Sequence, residues 1–176
     1  MKYFKLSTNS KVNALGITLF QLELTIDCKW GKAGDLGGWV ESENTKSGDA
    51  RVSGDAWVSG DAQVYGNAWV SGDAWVSGGA QVSGDARVYG NARVSGDAQV
   101  SGDAWEKSPL QIQGTRHYIN VCAKFKLRIG CKEFSFSYWK REFKSIGANQ
   151  NYTQEEINEY ELYIDLAIKI YGLGED

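Results

Sequence analysis

The chain has 176 residues, of which 42% are hydrophobic and 23% charged, with a formal net charge of −3. That length suits one compact unit or two small ones, and the composition excludes a disordered tail. No apolar run approaches the roughly 18 residues of a membrane span, and the start Met1-Lys2-Tyr3-Phe4-Lys5 lacks the apolar core of a secretory leader, so the expectation is a cytoplasmic protein with no membrane partner.

The first element in chain order is a β-hairpin cap over residues 1–33. Residues 2–6 (KYFKL) and 17–26 (ITLFQLELTI) alternate polar and apolar as strands do, and the polar stretch STNSKVNALG separates them. They are expected to pair and to cover the start of the repeat region.

Over residues 34–105 the chain repeats. Glycine recurs every six residues at Gly48, Gly54, Gly60, Gly66, Gly72, Gly78, Gly84, Gly90, Gly96 and Gly102, in units that read G-[D/N]-A-x-V-[S/Y] with Gly79 as the one replacement at the second position. Such a period signals stacked units that share one core. The alanines from Ala50 to Ala104 and the valines from Val52 to Val100 are the dependable apolar positions and must face inward. Each Gly-Asp or Gly-Asn pair supplies a corner, because glycine accepts positive φ and the following residue tolerates tight bends. A strand this short buries nothing alone, so successive coils must stack about 4.8 Å apart. The spacing resembles the hexapeptide repeat of left-handed parallel β-helices, in which three hexapeptides close one triangular coil. The resemblance, and not the periodicity, carries the handedness. Trp39 and Val40 fall in register with the later units, so the first irregular coil begins near Gly34 and about four coils are expected.

With eighteen residues per coil, the variable x position sorts into columns. One reads Arg51, Trp69, Arg87, Trp105; the next Trp39, Trp57, Trp75, Arg93; the third Thr45, Gln63, Gln81, Gln99. Stacked Arg and Trp suit cation–π contact, and stacked glutamines suit an amide ladder. Asparagines interleaved among the corner aspartates, as in Asp49, Asn67, Asp85, limit repulsion between coils.

The register ends after Trp105 at Glu106-Lys107-Ser108-Pro109, and residues 106–176 are expected to form a small α+β domain. Residues 117–129 offer one or two strands, Phe134-Ser135-Phe136 another, and 138–146 a short helix. Thr153 with Glu156 forms a capping-box pattern ahead of a helix that ends at Gly172. Residues 116–144 are basic and 155–165 acidic; two charged surfaces that face each other explain this, and a basic ledge for an acidic ligand is the alternative. The fold class is therefore mainly β: a left-handed parallel β-helix with an N-terminal β cap and a C-terminal α+β domain.

The segment GDLGGWVES (Gly34 to Ser42), followed by the GDAxV and GNAxV array, resembles a widespread group of phage and prophage accessory proteins. The likeness covers about the first two thirds of the chain. It implies a phage gene product acting in the host cell, and interference with a bacterial defence system is the role that lineage suggests.

Enzymatic readings find little to stand on. The γ-class carbonic anhydrases share this coil but need three histidines around zinc, and the chain has only His117. Three cysteines, Cys28, Cys122 and Cys131, lack CxxC spacing, so neither a metal nor a cofactor is expected. Hexapeptide acyltransferases need a histidine beside the coil, and residues 48–105 have none, which leaves a divergent acyltransferase as a remote alternative. Cys131 as a nucleophile and His117 as a base are less economical than structural roles for both. Binding is the reading that remains. Large outward side chains mark interaction surfaces, and Trp and Arg are enriched at interface hot spots. The candidate partner-binding residues are Trp39, Trp57, Trp69, Trp75, Trp105, Arg51, Arg87 and Arg93. Expected partners are a second copy of the chain, in a homo-oligomer, or a host defence protein; sequestration of a nucleotide signal is the alternative. Seven Asp against three Arg in residues 48–105 argue against nonspecific DNA binding.

Overall fold

A computed structural model describes residues 3–29 and 31–173; Lys2 of the predicted first strand lies outside them. The chain divides into two compact units, Met1–Ser108 and Pro109–Asp176.

The first unit opens with β1 (Phe4–Val12) and β2 (Thr18–Leu24), an antiparallel pair. The stretch expected to separate them is in fact largely strand: β1 runs on through Ser7 to Val12, with its register shifting between Leu6 and Ser10. Asn13 makes the short turn, its side-chain carbonyl accepting from the Leu15 and Ile17 amides. Strand β3 (Leu36–Val40) pairs antiparallel with β2 and then parallel with the first regular coil, so the hairpin extends one face of the solenoid.

The solenoid strands are β4 (Arg51–Val52), β5 (Trp57–Val58), β6 (Gln63–Val64), β7 (Trp69–Val70), β8 (Trp75–Val76), β9 (Gln81–Ser83), β10 (Arg87–Val88), β11 (Arg93–Val94), β12 (Gln99–Ser101) and β13 (Ala104–Trp105). They form three parallel ladders: β3-β5-β8-β11, β4-β7-β10-β13 and β6-β9-β12. This is the left-handed β-solenoid of about four turns that the likeness to hexapeptide β-helices implies. An amide bonds the carbonyl seventeen residues ahead: Trp39 N to Ala56 O, Arg51 N to Ala68 O and Gln63 N to Ala80 O lie at 2.8–2.9 Å. Val58, Val64, Val70, Val76, Val82 and their companion alanines are fully buried. At the corners glycine is required twice over. Gly66 sits at φ +71°, and a Cβ there would lie 3.1 Å from the amide nitrogen of Gly84 in the next coil.

The last coil departs from the predicted register. Arg87 N bonds Asp103 O and Tyr89 N bonds Trp105 O, sixteen residues ahead instead of seventeen, because Asp103 N closes a tight turn on Ser101 O. Arg87 therefore pairs with Ala104, and Trp105 pairs with Val88. Ala104, expected inward, is exposed, and Trp105, expected in the outward Arg/Trp column, is buried over the end of the valine core. One missing residue reverses every side chain beyond it.

The second unit is a four-stranded antiparallel meander, β14 (Gln111–Gln113), β15 (Tyr118–Ala123), β16 (Lys126–Ile129) and β17 (Lys132–Ser135), followed by α1 (Phe136–Asn149) and α2 (Gln154–Tyr171). Phe136 belongs to α1 and not to the strand predicted over 134–136, because Ser135 caps the helix by accepting from Tyr138 N. The Thr153–Glu156 capping box is formed in both directions. Phe136, Trp139, Phe143, Tyr160 and Ile164 pack with Ile119 and Leu127 of the sheet in a buried core. Lys140–Asp165, Lys144–Glu161 and Arg116–Glu156 ion pairs join the basic and acidic stretches, so the two charged surfaces do face each other.

Gly66→Ala should destabilise the solenoid by about 2 kcal/mol, the cost of a left-handed alanine plus the displaced neighbouring coil. Urea denaturation followed by tryptophan fluorescence reads this directly, and an unchanged midpoint would contradict the proposed corner geometry.

Candidate interaction surface

The x position of each hexapeptide points away from the valine core, and parallel pairing puts equivalent side chains one sheet spacing apart. Two of the three faces carry the aromatic and cationic residues.

On the first face Trp39, Trp57, Trp75 and Arg93 are in register as predicted. Two separate groups of ring contacts lie along the column. Lys11 Nζ lies 4.2 Å from the Trp39 ring centroid, Trp57 and Trp75 meet edge to face at 3.9 Å, and the Arg93 guanidinium covers Trp75 at 4.5 Å. Trp57 keeps only 7% of its surface exposed, so it props Trp75 and cannot itself meet a partner. Trp39 and Trp75 are half-buried and Arg93 is exposed. The Trp75 ring packs against Trp57, a contact that a column of letters does not weigh.

On the second face Trp69 lies between Arg51 and Arg87 in adjacent coils. The Arg51 guanidinium sits 4.6 Å from the Trp69 ring centroid, and the indole Nε1 donates to Ser53 Oγ at 2.8 Å. These contacts hold the ring in one orientation. Arg87 is exposed. Asp49 and Lys29, 3.6 Å apart, complete the rim of a depression of about 280 Å³ with Asn67. Asn67 Nδ2 donates to Asp85 Oδ1, as interleaved amides and carboxylates predict.

The third face carries Gln63, Gln81 and Gln99 in register, but Gln81 Oε1 accepts from the Tyr65 hydroxyl at 3.3 Å. Thr45 is not an outward member of this column. It is buried in a 3-10 turn, Glu43–Thr45, where its hydroxyl donates to Ser42 O.

One residue that the repeat pattern does not single out stands at the opening coil. Lys46 pairs with Val64, so it holds a position that valine fills in every later coil. The signal was present, since Lys46 precedes Val52 by one hexapeptide. Its Nζ lies 4.2 Å from the Phe4 ring centroid, in a pocket of about 180 Å³. Burial lowers its pKa to about 8 from the usual 10.5, against an opposing pull from Asp49.

The residues weighed for catalysis sit in the second unit. The His117 imidazole is exposed, while its backbone amide and carbonyl both bond the Tyr160 hydroxyl. Cys131 is exposed; Cys122 is buried, and desolvation pushes its thiol up to about 12, far from a thiolate at neutral pH. Among the described residues no group of three or more His, Cys, Asp or Glu is placed to hold a metal ion, and no helix is long and apolar enough to cross a membrane.

The family model described as YdcK Beta solenoid repeat matches residues 47–60, 62–78, 80–96 and 86–102. The chain thus carries a solenoid repeat similar to that family over its central part, which agrees with the three ladders. No curated protein matches the chain.

Lys46→Met should stabilise the solenoid at pH 7, where the ammonium is desolvated in the folded state. Between about 8 and 10.5 the unfolded chain holds the extra proton, so the parent gains stability as pH rises through that window and the gap to the variant narrows. Urea midpoints at pH 7 and 10 measure it; a gap independent of pH would contradict the burial of the amine.

Proposed function

We propose that the protein is a non-enzymatic interaction protein whose solenoid presents its Trp/Arg faces to a protein partner, either a second copy or a host protein. The observation that carries this is the set of first-face contacts, in which Lys11 lies on Trp39 while Trp57 and Arg93 lie on Trp75, at the surface of a solenoid whose coils are hydrogen-bonded to one another. A pre-ordered aromatic and arginine surface loses little side-chain entropy when it meets a partner. Partner-facing residues in this reading are Trp39, Trp75 and Arg93 on one face and Arg51, Trp69 and Arg87 on the other. Trp57 and Trp105 act from within.

The likeness of Gly34–Ser42 and the array to phage accessory proteins supports a finer reading, in which the host partner is a component of a bacterial defence system. Acid-rich corners on the coils disfavour DNA as the partner.

Expression in bacteria carrying defined defence systems is expected to restore plaque formation by a sensitive phage. Arg93→Glu, an exposed change on the first face, should abolish that rescue at equal expression, with the circular dichroism of the purified variant unchanged. No rescue by the parent protein across the panel would remove the defence reading, and rescue by the variant equal to the parent's would remove this face from the binding site.

A further inference from the structure

We propose that the depression over Trp69 on the second face binds a nucleoside phosphate. This goes beyond the protein-interaction reading and does not depend on it: it assigns the second face to a small ligand and leaves the first face to a protein partner.

The coils are acidic, with seven aspartates against three arginines between residues 48 and 105. Two of those three arginines flank a single tryptophan here. Arg51 and Arg87 are the in-register neighbours of Trp69 on either side, and Lys29 brings a third cation to the same rim. Asp49 is the one carboxylate in the lining, and it lies 3.6 Å from Lys29. A cationic hollow in an acidic array selects an anion. Among the described residues Arg87 makes no ion pair.

The aromatic component narrows the class. Trp69 is held by Ser53 through its indole nitrogen and by Arg51 against its ring, so it is a fixed platform and not a side chain that must be ordered on binding. Arg51 covers one face of the ring, so a base would stack on the other; such stacking is sequence-tolerant, and an adjacent guanidinium matches two phosphate oxygens at once. The Asn67 amide stands at the edge of the same hollow. A volume of about 280 Å³ suits a mononucleotide and is small for a folded epitope. Inorganic phosphate would satisfy the arginines alone and leave the tryptophan unused; an acidic peptide would gain nothing from the platform.

Titration of the purified full-length protein with adenosine 5′-monophosphate, followed by tryptophan fluorescence and calorimetry, tests this against adenosine and inorganic phosphate as separate probes. The monophosphate should bind at least about tenfold more tightly than either fragment. Arg87→Gln and Trp69→Leu should each weaken it at least about tenfold, while Arg93→Gln on the first face leaves it unchanged. Arg87 is exposed, so its variant is expected to keep the parent's circular dichroism even if the Trp69 variant does not fold. Absence of monophosphate binding at millimolar concentration, equal binding of phosphate alone, or binding insensitive to Arg87→Gln would each overturn the proposal. None of these results depends on a protein partner, so failure here and failure of the interaction reading are separable.

Discussion

The regular coils of the solenoid are held together by amides that reach a carbonyl seventeen residues ahead, as Trp57 does to Ala74 and Gln81 to Ala98. A strand of two residues has almost no hydrophobic surface of its own, and one turn cannot pay for its ordering. Stacked, the turns share a valine and alanine core and satisfy their backbone together. The same register sets the outward side chains one above another, so the Trp/Arg columns are a by-product of the constraint that makes the fold possible.

That constraint explains why the ends differ from the middle. A hydrogen-bonded coil always exposes one unpaired edge and one open core at each terminus. The N-terminal side is handled by β1, β2 and β3, which continue one ladder as antiparallel strands, while Phe4 covers Lys46 at the opening coil. At the other end the shortened turn at Gly102 rotates Trp105 into the core position and turns Ala104 out. A large ring there closes the core in a way that another valine would not.

The two Trp/Arg faces are built by the same register yet have different characters. On the first, ring meets ring, and the column buries its own centre at Trp57. On the second, each ring neighbour is an arginine, so the aromatic surface stays separated and cationic. The first resembles the anchor of a protein interface, with apolar area fixed by packing. The second offers charge and a platform side by side, which is the chemistry of a small anionic ligand.

The six-residue period and its inward valines and alanines were readable in the letters, and the likeness to hexapeptide β-helices supplied the three units per coil that sort the outward side chains into columns. The α2 cap at Thr153 and Glu156 was readable too, a purely local hydrogen-bond pattern. The first strand's extension to Val12 was not, since a polar segment becomes strand only when a partner such as β2 supplies its hydrogen bonds. Trp105 leaves its column for a different reason: a single-residue deficit in one turn keeps the composition intact but inverts the facing of the residues beyond it. The burial of Trp57 and the depressed basicity of Lys46 also belong to the tertiary structure, because both depend on what lies in the coil above, the coil below or the capping strand. Sequence determined which residues recur; three-dimensional contact decided which of them reach solvent.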